Sequence, residues 1–382
     1  MKLNKNRFSL LRNDSFQTLL ASLLCVLGGL LVGYIVLLII EPSGAWKAIT
    51  AVVKNFLVYP NEKLKLKYLG QTLVRTAPLL MCALSVLFAY KVGMFNIGAA
   101  GQYVVGACAA LYCALGLKMP WYLCMLAAMT AGALWGALSG LLKTFCNVNV
   151  VISGIMLNWI GLYLTNLILS KVKNPTSPYT LNLRGVNPDA LLPSLGLGAF
   201  FNNEKTVTLA IPLAVVMAVI VWVILNKTKF GYELKATGFN YQAAKYAGMK
   251  ENRNIILTMM ISGALAGMGA ALLYLTGIEE WETTVSSVPG MGFNGIAVAF
   301  LGGLSPIGSI LAAYFIQHIT AGGANVDLTL YSSQISSLIS SLIIFLCAFV
   351  AFFKLALQAS QRKRDEKNAR LSNANEEGGS AT

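Results

Sequence analysis

Long apolar stretches alternate with shorter polar segments along almost the whole chain. An α-helix of about 20 apolar residues crosses the roughly 30 Å core of a bilayer, so most of these stretches predict transmembrane helices. One stretch, 290–304, is shorter and broken by glycines, which indicates a half-helix or an irregular crossing. The pattern predicts an all-α, polytopic helical membrane protein with about ten transmembrane helices. The predicted crossings are residues 18–40, 72–90, 92–117, 121–142, 150–170, 206–225, 255–277, 290–304, 309–320 and 328–353.

The polar segments divide the chain into a membrane domain, 18–353, and two terminal segments, 1–17 and 354–382. Cytoplasmic loops of membrane proteins carry an excess of Lys and Arg. With both termini in the cytoplasm, 18 of the 29 Lys and Arg residues fall on that side. We therefore expect both terminal segments, and the basic loop 227–254, to be cytoplasmic. The main exception is the segment 41–71, an expected outer loop with five lysines, Lys47, Lys54, Lys63, Lys65 and Lys67.

The composition excludes a soluble globular protein. Hydrophobic residues make up 56% of the chain and charged residues 12%, whereas soluble domains contain about a quarter charged residues. The first apolar stretch is too long for the core of a signal peptide, so we expect it to remain as a membrane span. The lipid bilayer is the expected surroundings of this chain, and no nucleic-acid partner is expected.

The basic loop 227–254 contains a short helix with recognisable ends. Asn240 is a favourable N-cap, and Gly248 is a favourable residue just beyond the C-terminus. Between these ends lies a face of small residues, while Tyr246 projects elsewhere; Gly238 precedes the cap, and the small residues are Ala243, Ala244 and Ala247. Such a helix fits either a groove on a partner protein or the headgroup layer of a membrane, and spacing alone does not separate the two.

The polar chemistry of the predicted crossings argues against catalysis and against ion coupling. No crossing contains Asp or Glu, although a sodium site in a broken helix does not require one. The chain has one histidine, His318, expected to be packed or pore-facing, and its seven cysteines show no metal-binding spacing. There is no nucleophile–base set and no phosphate-binding loop, so we expect no enzyme activity, metal or cofactor. Energy for active transport would come from another subunit.

Uncharged amides and glycines are the remaining features of the crossings. Gly132, Gly136 and Gly140 recur every four residues, as at close helix–helix contacts. The motif at 95–98, Phe-Asn-Ile-Gly, is echoed by Phe-Asn-Gly at 293–295, as in an inverted repeat. The amides fit a neutral solute such as a sugar or nucleoside, or hydrogen bonds between helices. They are Asn96, Gln102, Asn147, Asn149, Asn158, Asn294 and Gln317.

Four stretches, spread over most of the chain, share a recognisable pattern: GMFNIGAAGQ at 93–102, NVNVVISGIMLNWI at 147–160, GYELKATGFNYQAAKYAGM at 231–249 and GMGFNGIAVAFLGGLSPIG at 290–308. In these stretches the chain resembles the permease subunits of bacterial ATP-binding-cassette (ABC) importers of the ribose/nucleoside type, most of all the nucleoside (basic-membrane-protein-associated) branch. One departure is Ala99-Ala100, where an acidic residue often precedes the Gly-Gln pair of that branch.

The resemblance implies an inverted-repeat permease of the bacterial plasma membrane, working with an ABC ATPase that hydrolyses the ATP, a second permease subunit, and an extracellular substrate-binding lipoprotein. It implies that residues 238–248 dock on the ATPase, which favours the partner groove over the membrane surface. The loops 171–205 and 279–289 become candidate faces for the binding protein. The implied pathway residues are Asn96, Gln102, Asn158, Trp159 and Asn294. Three alternatives remain: a sugar permease, a self-sufficient ion-coupled carrier and a membrane scaffold without transport activity.

Overall fold

A computed structural model describes residues 14–327 and, beyond them, 329–332, 334, 338, 339, 341, 342, 345, 346, 349, 350, 352–356 and 358–360. Thirteen α-helices are defined within this part of the chain. They are α1 (Asp14–Ile40), α2 (Ala45–Lys54), α3 (Glu62–Lys91), α4 (Ala99–Leu111), α5 (Trp121–Cys146), α6 (Val150–Leu169), α7 (Leu183–Val186), α8 (Ala210–Lys227), α9 (Lys229–Phe239), α10 (Tyr241–Tyr246), α11 (Glu251–Tyr274), α12 (Met291–Leu301) and α13 (Pro306–Gly322).

Among the described residues, seven helical segments are long and apolar enough to cross a membrane: those built on α1, α3, α4, α5, α6, α8 and α11. Helix α4 reaches this length because a π-helical turn, Tyr112–Gly116, extends it. They match the first seven predicted crossings. Helix α12 has 11 residues. At about 1.5 Å per residue it is too short to span the bilayer, which confirms the predicted half-helix. The expected crossing 328–353 lies only partly within the described residues, as does the tail 354–382.

Two segments expected to connect membrane crossings contain more helix than the sequence indicated. The segment 41–71 contains α2 and the first turns of α3, which the side chain of Asn61 caps by accepting from the Lys63 N–H at 2.9 Å. The basic segment 227–254 contains α9 in addition to the expected short helix. Both new helices are short and rich in lysine, so the hydrophobic pattern alone did not distinguish them from loops.

Helices α3, α4, α5 and α11 meet at the centre of the bundle, and glycines bring their backbones together. A Cβ on Gly132 of α5 would overlap the carbonyl oxygen of Gly263 of α11, and the converse also holds. A Cβ on Gly106 of α4 would overlap the backbone of Gly267 in the same way. Helices pack through small residues in lipid, where burial from water supplies no drive for association. The predicted packing role of Gly132 and Gly136 is confirmed.

Candidate translocation pathway and coupling segment

The residues before α4 form an irregular segment inside the bundle. Residues 94–96 are not helical, and Asn96 lies here with its side chain fully buried. Its Nδ2 donates to Gln102 Oε1 at 2.8 Å and to Ser262 Oγ at 2.7 Å, and Gln102 Nε2 donates back to Asn96 Oδ1 at 3.3 Å. This reciprocal amide pair links the irregular segment to α4 and α11. A buried amide with its hydrogen bonds satisfied holds its neighbours in one arrangement.

Asn158 of α6 caps the same region from the other side. Its Oδ1 accepts from the backbone N–H of Gly101 at 2.7 Å, and its Nδ2 donates to the carbonyl oxygen of Ile97 at 3.2 Å. The Asn158 side chain is buried, and it binds a backbone donor in the first turn of α4 that has no partner within the helix. Three of the five predicted pathway residues, Asn96, Gln102 and Asn158, therefore support the broken start of α4.

The start of α12 lies against the start of α4. A Cβ on Gly292 would overlap the α-carbon of Ala100, and one on Gly295 would lie 2.8 Å from the backbone of Cys82 in α3. The two similar motifs, 95–98 and 293–295, therefore belong to helix starts that are in contact. Transporters often place the N-termini of broken helices at the solute site, because these termini offer free backbone N–H groups.

The other two predicted pathway residues are more accessible. Asn294 of α12 is partly buried, and Trp159 of α6 is 42% exposed. The Trp159 ring stacks on Tyr163 with centroids 6.2 Å apart. The five residues thus divide into an enclosed amide set and an accessible pair, a division that the sequence did not indicate.

Residues 238–248, the predicted ATPase-docking residues, are called the coupling segment. The helix predicted within it forms with the predicted ends. Asn240 Oδ1 accepts from the Ala243 N–H at 3.0 Å, and Gly248 has a positive φ of 77°. Ala244 is buried, whereas Ala243, Ala247 and Gly248 are exposed. Tyr241 ties the helix to α11 by donating to Asn252 Oδ1 at 3.0 Å. Loss of hydration raises the pKa of the Tyr241 phenol, and the nearby Glu251 carboxylate adds to that shift, so the hydroxyl keeps its proton as a donor.

Helices α9 and α10 surround an open groove of about 740 Å³. Its lining includes small residues of α10 and the basic side chains Lys91 and Lys235. Two large aromatic side chains project from the same segment: Phe239 is 95% exposed and Tyr246 is 91% exposed. The sequence did not single out Phe239, which stood in an expected loop. Exposed aromatic residues beside a groove are typical of a protein-binding surface.

The coupling segment contacts the irregular segment directly. A Cβ on Gly238, at the end of α9, would overlap the carbonyl group of Val92. A Cβ on Gly93, whose φ is 77°, would lie 2.7 Å from the Gly238 carbonyl oxygen. Asn96, which forms the buried amide pair with Gln102, lies three residues after Gly93. One backbone contact therefore connects the exposed segment to the broken start of α4.

At the opposite end of the bundle, the two loops predicted to face a binding protein pack on each other. The Thr180 N–H donates to the Trp281 carbonyl at 2.9 Å, and Asn182 Nδ2 donates to Glu280 Oε1 at 2.7 Å. Glu279 forms an ion pair with Arg75 of α3. The loops 171–205 and 279–289 therefore present one joint surface.

The fold combines membrane-spanning helices with two broken helices, α4 and α12, whose starts are in contact. An exposed segment, 238–248, packs against the residues before α4. This combination defines a membrane transport protein. Residues 68–351 match the family described as the permease component of the branched-chain amino acid transport system, and the chain belongs to this family.

Several relatives are nucleoside permeases. The guanosine ABC transporter permease protein NupP of Bacillus subtilis is 38% identical over 265 residues, 68% of this chain and 75% of the relative. The nucleoside ABC transporter permease protein NupB of Lactococcus lactis is 31% identical over 320 residues, 81% of this chain and 85% of the relative. The glucose ABC transporter permease protein TsgB13 of Haloferax volcanii is 30% identical, with 68% and 70% coverage. No solved structure matches the chain.

Proposed function

We propose that this chain is the membrane-spanning permease subunit of an ATP-driven ABC importer for nucleosides. The similarity to NupP and NupB supports the solute class, because the identity to each exceeds that to the glucose permease and each alignment covers more of the relative. The observation that carries the coupling mechanism is the backbone contact between Gly238 and Gly93. It gives a partner bound at the exposed segment a direct mechanical route to the broken helix α4.

The exposed parts of the chain support the assignment of three protein partners. An ABC ATPase binds the segment 238–248 on the cytoplasmic side, with Phe239 and Tyr246 inserted into its groove. A second, homologous permease subunit completes the pathway. A substrate-binding lipoprotein docks on the joint surface of the loops 171–205 and 279–289. ATP is hydrolysed by the ATPase, and this chain itself needs no cofactor. Both termini are then cytoplasmic, in a bacterial plasma membrane.

The transport step is a rigid-body movement driven from the coupling segment. When the ATPase closes on ATP, α10 moves with it, and the tight Gly238–Gly93 contact transmits that displacement to the segment before α4. The Asn96–Gln102 pair and Asn158 keep the start of α4 intact while it moves. Solute passes the accessible polar and aromatic groups, Asn294 and Trp159. Neutral groups suit a neutral solute, because no ionised side chain has to be dehydrated.

Uptake of labelled guanosine by the host, with and without the gene, tests this function. We expect uptake to disappear with the gene, to return when the gene is restored, and to stop when cellular ATP is depleted. Unlabelled nucleosides should compete, whereas ribose and glucose should not. Competition by ribose or glucose alone would identify a sugar permease. Uptake that survives ATP depletion but stops with an ionophore would identify an ion-coupled carrier.

A further inference from the structure

Helix α2 is a firmly packed element on the side of the bundle opposite the coupling segment. Its buried face consists of Ala45, Ala48, Ile49 and Val52. Gly322 of α13 lies so close that a Cβ there would overlap the Val52 carbonyl oxygen. After α2, the buried Asn55 donates to Thr72 Oγ1 of α3 at 3.2 Å. The orientation of α2 on the bundle is therefore fixed.

The opposite face of α2 carries the exposed apolar side chains Trp46 and Val53 beside two exposed lysines, and it lies next to an exposed apolar stripe of α1. Trp46 is 68% exposed, and its ring lies edge-on to Tyr34 of α1 with centroids 6.1 Å apart. The turn after α2 exposes Leu57 and Val58. Helix α1 exposes large apolar side chains at every fourth position, as expected for a face against lipid tails. These are Leu23, Leu27, Leu31, Ile35 and Ile39.

Lysines accompany this apolar surface. Lys47, Lys54 and Lys63 are exposed, and among the described residues no carboxylate oxygen lies within 4.0 Å of the Lys54 or Lys63 amine. Lys65 and Lys67, by contrast, pair with Glu62 and Glu204. Lys47 lies near Asp327, whose pKa is held low by hydrogen bonds from Thr329 and, to a smaller extent, by this lysine. Residues 45–58 therefore carry a net positive charge, with two lysines and no carboxylate.

We propose that α2 and the turn after it, residues 45–58, lie in the membrane interface and that Lys47, Lys54 and Lys63 bind anionic phospholipid headgroups. Tryptophan and lysine beside an apolar helix face are the usual composition of an interfacial helix. The stripe on α1 leads from the bilayer core to Trp46, which places α2 at headgroup level. Lys47, Lys54 and Lys63 are three of the five lysines in the segment 41–71, which is more basic than is usual for an outer loop. Binding of these lysines to anionic headgroups accounts for their presence there.

Quenching of Trp46 fluorescence by brominated lipids tests this inference on the full-length chain in phosphatidylcholine vesicles. The signal of Trp46 is obtained by subtracting that of Trp46→Phe, since the chain has six tryptophans. A small fraction of dibrominated phosphatidylglycerol should quench this signal about threefold more strongly than the same fraction of dibrominated phosphatidylcholine. The triple variant Lys47→Gln/Lys54→Gln/Lys63→Gln should lose the preference.

The matched control is Lys171→Gln/Lys173→Gln/Lys205→Gln, which removes three exposed lysines on the same side of the bundle and should keep the preference. Equal quenching by the two lipids in the unmodified chain would overturn the inference, as would a preference that survives the first triple variant. Absence of quenching by either lipid would place α2 against water or a protein surface and would also overturn it.

Discussion

The backbone of Gly238 lies directly against that of Gly93, and neither position has room for a side chain. Gly238 ends the helix that precedes the coupling helix α10, and Gly93 begins the irregular segment that leads to Asn96. The contact involves main-chain atoms of both residues, so no side-chain rearrangement can absorb a displacement of α10. This rigidity is why the contact can transmit movement from a partner to the centre of the bundle.

Gly238→Ala is expected to uncouple transport from ATP hydrolysis. The new methyl group overlaps the Val92 carbonyl, so the two backbones must separate. In the assembled transporter we expect uptake per ATP hydrolysed to fall at least about tenfold, with the ATPase still bound. Each tenfold step corresponds to about 1.4 kcal/mol of lost coupling. Gly28→Ala in α1 is the matched control, because a Cβ there meets only the Leu346 side chain at 3.7 Å, an ordinary contact distance. Unchanged coupling in Gly238→Ala would remove the transmitting role of this contact.

Phe239→Ala and Tyr246→Ala are expected to weaken ATPase binding without weakening the fold. Both rings project almost entirely into solvent, so the isolated chain loses few contacts. Each aromatic anchor buried in a partner groove is worth about 2 kcal/mol or more, roughly a thirtyfold change in Kd. Co-purification of the ATPase and thermal unfolding of the chain measure the two effects. The control is Phe200→Ala, at another strongly exposed aromatic residue on the opposite side of the bundle. Full ATPase retention by both variants would contradict the proposed docking surface.

Asn96→Ala and Asn294→Ala should separate the structural amides from those that meet solute. Removing Asn96 leaves Gln102 and Ser262 without their buried partner, and we expect a loss of about 1–3 kcal/mol in unfolding free energy. Asn294 is partly exposed, so its replacement should leave the unfolding temperature nearly unchanged while raising the solute concentration needed for half-maximal uptake. A stable Asn96→Ala protein, or normal uptake by Asn294→Ala, would reverse the corresponding assignment.

Gly263→Ala is expected to prevent normal packing of the bundle. Its methyl group would overlap the Gly132 carbonyl where α5 and α11 cross, and backbone cannot yield as a flexible side chain does. We expect low recovery of folded protein from membranes and early thermal unfolding. Gly28→Ala again serves as the control, because it adds the same methyl group to a membrane helix without a backbone overlap. Recovery and unfolding temperature equal to those of the unmodified chain would show that this crossing tolerates a wider separation.

Features encoded over a few neighbouring residues were predictable from the sequence. The crossing 150–170 agrees with α6, Val150–Leu169, because apolar length determines a membrane span. The ends of α10 were also correct, because Asn240 and Gly248 determine them through local hydrogen bonding and backbone geometry. The glycine spacing on α5 indicated close packing, although it did not identify α11 as the partner helix.

Features that depend on distant residues were not predictable. Helices α2 and α9 are too short and contain too many lysines for membrane spans, and they form because one face of each packs on the bundle. The amides of Asn96 and Asn158 fitted either a solute site or, as is commoner, a hydrogen bond between helices. Their burial follows from the arrangement of α4, α6 and α11, which the chain pattern does not contain. The contact of Gly93 with Gly238 joins residues that are far apart in the chain and was missed for the same reason.

The most direct test of the central claim is nucleoside accumulation in vesicles by the purified chain, alone and together with its ATPase, second permease and binding protein. Under the proposed function, the chain provides a gated pathway and an ATPase bound at residues 238–248 supplies the work. We expect accumulation against a gradient in the complete assembly with ATP, and none when the ATPase cannot hydrolyse ATP or is left out. Accumulation against a gradient by the chain alone would contradict this account.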